Sequence, residues 1–109
     1  MVRIVTDAQL SEWLNLAQTT VDYDYSGFMA NHSDWTPELI FDNITKRNKF
    51  ARIWAVNHSG SRSAWGFINL ENGDVLKADG WKAPALNFAR GNIYSADHGL
   101  SRVKWTGVS

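Results

Sequence analysis

Lys49-Phe50-Ala51-Arg52-Ile53-Trp54-Ala55-Val56-Asn57, then His58-Ser59-Gly60-Ser61, then Ser63-Ala64-Trp65-Gly66-Phe67-Ile68-Asn69-Leu70. These residues and the Glu71-Asn72-Gly73-Asp74 that follows decide the fold. The two longer runs are rich in β-branched and aromatic residues, and both are bounded by turn formers. Asn72-Gly73 is the strongest short hairpin signal, because both residues tolerate positive φ. Val75 to Ala78 supplies a third run. The pattern predicts an antiparallel three-stranded meander.

Outward from it, the pattern becomes helical. Thr6 and Gln9 form a T-x-x-Q capping box. Leu10, Trp13, Leu14 and Ala17 recur at helical spacing, which predicts a helix from Asp7 to about Gln18. Thr19 to Trp35 is ambiguous, with room for a short helix around Ser26 to Asn31. Thr36-Pro37-Glu38 is a second start signal: an N-cap hydroxyl, Pro at the first helical position and an acid in the first turn. Leu39, Ile40 and Ile44 give that helix an apolar side. Pro84 opens a short helix over Ala85 to Arg90, which Gly91 ends in left-handed geometry. Ser101 to Val108 reads as a last strand at the sheet edge, and Arg3-Ile4-Val5 as a short strand or ordered tail. The expected class is α+β: N-terminal helices packed on a three- to four-stranded antiparallel meander, with a short helix after the third strand.

At 109 residues the chain has room for one domain. Six Trp, five Phe and three Tyr give it a heavy aromatic load, enough for a core without staples. It has no cysteine, which excludes disulfides and thiolate chemistry. Met1 to Asp7 lack the apolar core of a signal peptide, and no apolar run spans a bilayer; the expectation is a protein with no membrane partner. Charge is unevenly spread. Residues 1–45 hold one base and seven acids, net −6, whereas residues 46–109 hold ten bases and four acids, net +6. Such asymmetry points to a polyanion partner, or to an acidic part folded against a basic one.

Register decides what the meander shows to solvent. A two-residue Asn72-Gly73 turn pairs Leu70 with Val75 and puts Lys77 on the face opposite Trp65 and Phe67. A bulged three-residue turn slips the pairing by one and puts Trp65, Phe67 and Lys77 on one face. The sequence permits both, and the reading leans to the second. That face would resemble the sheet surfaces on which bases stack. Arg62, Lys77, Lys82 and Arg90 would then track phosphates among the rings Trp65, Trp81 and Tyr94. The competing reading puts the tryptophans in the core and lets the lysines reach outward.

Gly73-Asp74-Val75-Leu76-Lys77, Trp81-Lys82-Ala83-Pro84-Ala85 and Ala89-Arg90-Gly91-Asn92-Ile93 resemble a family of small uncharacterised bacteriophage proteins. Their pattern is Arg-Ser…Phe…Gly-Asp-Val-x-Lys…Trp-Lys-Ala-Pro-Ala…Arg-Gly-Asn-Ile, and here it runs from Arg62 and Ser63 through Phe67 to Ile93. It differs at Asp79-Gly80 and at Leu86-Asn87-Phe88. The resemblance implies a viral protein of the host cytoplasm and no particular activity.

Other constellations are weaker. His58-Ser59-Gly60-Ser61-Arg62-Ser63 is either a backbone nest for a phosphate or a plain hairpin loop. His32, His58 and His98 show no ligand spacing, so no metal or cofactor is expected. No Gly-x-Ser-x-Gly elbow occurs, and the expectation is a non-enzyme. Tyr23, Tyr25, Phe28 and Trp35, interleaved with Asp22, Asp24 and Asp34, form an alternative, protein-binding surface. The function classes are therefore a nucleic-acid or nucleotide binder, an inhibitor of a host protein, and a structural homo-oligomer pairing through the edge at Val103 to Val108.

Overall fold

The computed structural model describes residues 4–28, 36–43, 49–80, 84–86, 89–104 and 106–108. Its first element is helix α1 (Asp7–Phe28). The capping box forms as read: Thr6 N donates to Gln9 Oε1 at 3.0 Å and Gln9 N to Thr6 Oγ1 at 3.1 Å. The helix runs well past Gln18, because its buried face continues from Leu10, Trp13 and Ala17 to Val21 and Tyr25. Thr19 and Thr20 fit inside it by donating their hydroxyls to the carbonyls of Asn15 and Leu16. Packing here overrides the weak helix propensity of Thr-Thr-Val.

Strands β1 (Glu38–Asn43), β2 (Phe50–Val56), β3 (Arg62–Asn69), β4 (Asp74–Leu76) and β5 (Gly91–Asn92) follow as one antiparallel meander in chain order. The second helix predicted from Thr36-Pro37-Glu38 is therefore a strand. Leu39 and Phe41 alternate toward the core opposite Ala55 and Ile53, a period of two that the cap signal concealed. The Gln18 carboxamide fixes the strand to α1. It donates to Pro37 O at 2.9 Å and accepts from Leu39 N at 2.7 Å, as a neighbouring peptide unit would.

The C-terminal part departs further from expectation. Ser101 to Val108 does not join the sheet edge. Its residues pair with each other as β6 (Val103–Lys104) and β7 (Gly107–Val108). The predicted helix over Ala85 to Arg90 is absent among the described residues there; Asn87 and Phe88 lie outside them. Ala85 N instead donates to Lys77 O and Arg90 N to Val75 O, at 2.8 and 2.7 Å. Gly91 opens β5 rather than ending a helix, and its φ is not positive. Ile4 and Val5 form an ordered tail, both amides donating to Leu70 O.

Register is the decisive correction. Phe67 pairs with Leu76 and Ile68 with Val75, so the β3–β4 connection is four residues long, Leu70 to Gly73. Gly73 closes it at φ 83° with its amide on Asn69 O. By strand alternation Lys77 then falls opposite Phe67 and Leu76. A bulge adds a second change. Ile53 pairs with Gly66 and Trp54 with Ala64, leaving Trp65 as the extra residue. The bulge turns Trp65 toward α1, whereas Phe67 faces the other way with Arg52. Trp65, Phe67 and Lys77 do not share a face.

Trp65 is 2% exposed and lies 6.3 Å from Trp13, centroid to centroid. Its Nε1 donates to Lys104 O at 2.8 Å, and that of Trp13 to His98 O at 2.6 Å. Trp65→Ala should lower the stability to urea by about 3–5 kcal/mol, the usual cost of emptying a buried ring site. Trp54→Ala, at a half-buried position on the opposite face, should cost less than half as much in the same titration.

Candidate nucleic-acid interface

The bulge that buries Trp65 removes it from the predicted stacking surface. The other predicted residues separate. Arg62 is exposed on β3, at the end of the β2–β3 hairpin. Lys77 and Arg90 meet at one cavity beside β4. Tyr94 lines a different groove, against α1. Trp81 and Lys82 lie outside the described residues. Of the alternative set, Tyr23 is 84% exposed, while Tyr25 is buried on the core face of α1, one turn beyond Val21. Phe28 ends the helix, but its side chain lies outside what is described, as does all of Trp35.

The sheet face turned away from α1 carries a constellation that the sequence reading missed. Along β2, Ala51, Ile53 and Ala55 point to the core, so Phe50, Arg52, Trp54 and Val56 point away, half-buried. The Arg52 guanidinium lies 4.1 Å from the centre of the Trp54 ring. That of Arg62, reaching across from β3, lies 5.6 Å from it. Lys49 Nζ stands 5.5 Å over Phe50. Three cations thus contact two rings along one strand, within the range at which ring quadrupoles attract charge.

Asp42 on β1 fixes the centre of this group. Its Oδ2 accepts from Arg52 Nη2 and from Trp54 Nε1, both at 3.1 Å. The indole N–H and one edge of the guanidinium are therefore spent on positioning. The Arg-x-Trp spacing of residues 52 and 54 placed both side chains on one face of a strand; what sequence could not supply was which face, and that Arg62 lies diagonally across the hairpin.

The loop joining β2 to β3 is closed internally. Asn57 Oδ1 accepts from Ser59 N, Ser59 Oγ and Ser61 N at 2.7–3.1 Å. Three amides of the candidate phosphate nest over residues 58–63, those of Ser59, Gly60 and Ser61, are thus turned onto Asn57, which favours the plain hairpin loop.

The groove that holds Tyr94 has a volume of about 330 Å³ and is lined also by Gln9, Trp13, Leu16, Ile93 and His98. Tyr94 OH donates to Gln9 Oε1 at 3.0 Å, which joins the capping box to the β5 loop. His98 has φ 55°, a left-handed conformation in a residue other than glycine. The turn that imposes it is knotted by Asp97, whose Oδ1 accepts from Ser95 Oγ at 2.6 Å and Gly99 N at 3.0 Å. These bonds, that from Ser95 foremost, hold the Asp97 carboxyl below its ordinary value of 3.8.

The profile of a family of unknown function, DUF7717, matches residues 6–109, and the chain belongs to that family. The match spans α1 and β1 as well as the Arg62–Ile93 region, so the acidic N-terminal part belongs to the family's common body. No curated protein and no solved structure matches the chain. Among the described residues, no helix is long and apolar enough to cross a membrane.

The Asp97 turn makes a pH prediction. A carboxyl whose folded pKa is depressed contributes stability above its unfolded value and loses it as pH falls through the folded one. The advantage of the native chain over Asp97→Asn in thermal unfolding should be full above pH 3.8 and close progressively below it.

Proposed function

We propose that the chain is a non-enzymatic accessory protein that binds single-stranded nucleic acid on the outer face of its sheet. The observation that carries this reading is the half-buried Trp54 ring contacted by both the Arg52 and Arg62 guanidiniums on the sheet face opposite the Trp13–Trp65 core. Bases stack on sheet-borne rings with little sequence preference, at about 1–3 kcal/mol per base. Cations beside the rings take the phosphates between them. Asp42 fixes Trp54 and Arg52, so less conformational entropy remains to be lost on binding. Arg62 keeps the role that the sequence reading gave it, while Trp54 and Phe50 replace Trp65 as the stacking rings. The likeness of Arg62–Ile93 to small bacteriophage proteins supports a setting in the cytoplasm of an infected host.

A second reading has its own observation. Helix α1 carries Asp7, Glu12, Asp22 and Asp24 and no Lys or Arg, with Tyr23 exposed among them. That surface suits a basic protein partner, as an inhibitor of a host protein would use. The third expectation, a homo-oligomer pairing through Val103 to Val108, would use the outer edge of a two-stranded hairpin, since Val103 pairs with Val108 and Lys104 with Gly107.

Trp fluorescence during titration with a single-stranded oligonucleotide of about 12 nucleotides discriminates the readings. Quenching is expected, with affinity falling about tenfold between roughly 50 and 200 mM salt. Trp54→Ala should weaken binding by about 1–3 kcal/mol. Arg62→Ala should flatten the log–log salt slope by about 0.7, one phosphate contact. Quenching that survives Trp54→Ala, or affinity indifferent to salt, would refute this interface and leave the α1 surface as the better reading.

A further inference from the structure

Two dipeptides in this chain let the backbone react with its own side chain: Asn72-Gly73 and Asp79-Gly80. A glycine has no β-carbon to obstruct its amide, so the nitrogen can reach the γ-carbon of the residue before it. Judged by sequence, Asn72 is the more reactive, because a carboxamide is a better electrophile than a carboxylate. The structure reverses that order.

Asn72-Gly73 ends the β3–β4 connection and is tied down. Gly73 N donates to Asn69 O at 2.7 Å, and Gly73 O accepts from Ile93 N at 2.9 Å. Asn72 Oδ1 accepts from Asp74 N and Asn72 O from Asn92 Nδ2, both at 2.9 Å. The Tyr94 ring packs so close that a β-carbon on Gly73 would stand 2.7 Å from its Cε2. Turning the Asn72 side chain onto the Gly73 nitrogen breaks the bonds to Asn69 and Asp74. Asp79-Gly80 is the opposite case. Both residues are exposed, and a β-carbon on Gly80 would meet nothing within 4 Å. Among the described residues, no hydrogen bond or ion pair holds the Asp79 carboxyl or the Gly80 amide.

We propose that Asp79-Gly80 is a site of spontaneous self-modification, at which the folded protein converts aspartate to isoaspartate. The Gly80 nitrogen bonds to Asp79 Cγ, and the carboxyl hydroxyl leaves with the amide proton as water. The cyclic imide then takes one water back. Cleavage of the new Cγ–N bond restores aspartate. Cleavage of the original C–N bond routes the chain through the side-chain carbonyl and frees an α-carboxylate. Mass is unchanged, and water is the single co-reactant. The product adds one methylene to the main chain between Lys77 and Pro84. That segment is closed by the Ala78–Pro84 bridge and by Ala85 N on Lys77 O at 2.8 Å, so the insertion strains both. The freed α-carboxylate is the group that a protein carboxyl methyltransferase esterifies from a sulfonium methyl donor.

The test is an ageing series on the full chain, folded in buffer and unfolded in concentrated urea. Peptide mapping reads isoaspartate at 79 as a second peak of equal mass, and deamidation at 72 as a mass gain. In the folded chain, isoaspartate at 79 should accumulate ahead of deamidation at 72. In urea the order should reverse, with Asn72 reacting about a hundredfold faster than in the fold, where it must wait for local opening. Asp79→Glu, an exposed change that lengthens the side chain by one methylene, should remove the isoaspartate and the labelled methyl accepted by the aged chain. Amide exchange at Ala85 should speed up with age in the native chain and not in Asp79→Glu. Deamidation at 72 that leads in the folded chain, or methyl acceptance that Asp79→Glu leaves unchanged, overturns the proposal.

Discussion

Most of this fold turns on the contact between Trp13 and Trp65. One ring comes from the middle of α1 and the other from the bulge of β3, and they meet at an interplanar angle of 56°. A tilted pair at this separation avoids the face-to-face sandwich that the aromatic quadrupole disfavours. A buried indole N–H must also find an acceptor. Trp13 finds it at His98 and Trp65 at Lys104. Two side chains thus bind the helix, the central strand, the turn after β5 and the C-terminal hairpin into one unit. The close fit of that hairpin shows at Gly66, where a β-carbon would stand 2.8 Å from Val108 Cγ2. Nothing larger than glycine lets β7 reach β3 there without a shift.

The bulge has a second consequence on the opposite face. Because Trp65 is the extra residue, strand parity resets after it, and Phe67 falls in with Arg52 instead of with the core tryptophans. Arg62 thereby joins Phe50, Arg52 and Trp54 on the sheet face opposite Trp65. The charge asymmetry of the sequence becomes partly spatial. Helix α1 carries four acids and no Lys or Arg, and the outer face carries Arg52 and Arg62. The two halves do touch at Asp42 and Arg52, 3.1 Å apart. That pair is partly exposed, so its role is to set geometry more than to stabilise the fold.

Legibility in the sequence followed the range of the interaction. The capping box involves four consecutive residues and forms as read. The cores of β2 and β3 were legible from β-branched and aromatic content. The length of α1 was not, because Val21 and Tyr25 become helix residues only through burial against the sheet. Thr36-Pro37-Glu38 misled for a related reason. Pro can open a helix or precede a strand, and the deciding partner, Gln18, lies 19 residues from Pro37. Register failed because Asn72-Gly73 sits inside a four-residue connection, where Asn69 and Asn72 accept from the amides of Glu71 and Asp74. At the candidate interface Arg62 was legible as an exposed cation beside a turn. Trp54 was not, since alternation along β2 puts it on one face without saying which face the helix covers, and the bulge that brings Arg62 onto the same face has no local pattern to announce it.

The hairpin loop explains why the proposed interface rests on side chains rather than amides. A loop that bound phosphate through its backbone would keep its N–H groups free and convergent. Here Asn57 draws those of Ser59 and Ser61 inward, which stiffens the turn between Val56 and Arg62. A stiff two-strand ribbon fixes the diagonal between Trp54 and Arg62, so the guanidinium reaches the ring without an ordering cost for the loop. The side chains of the proposed interface therefore lie on the strands and not in the loop. Rings and cations on strands hold their spacing better than any loop of that length, and a repeating polymer of bases and phosphates requires such spacing.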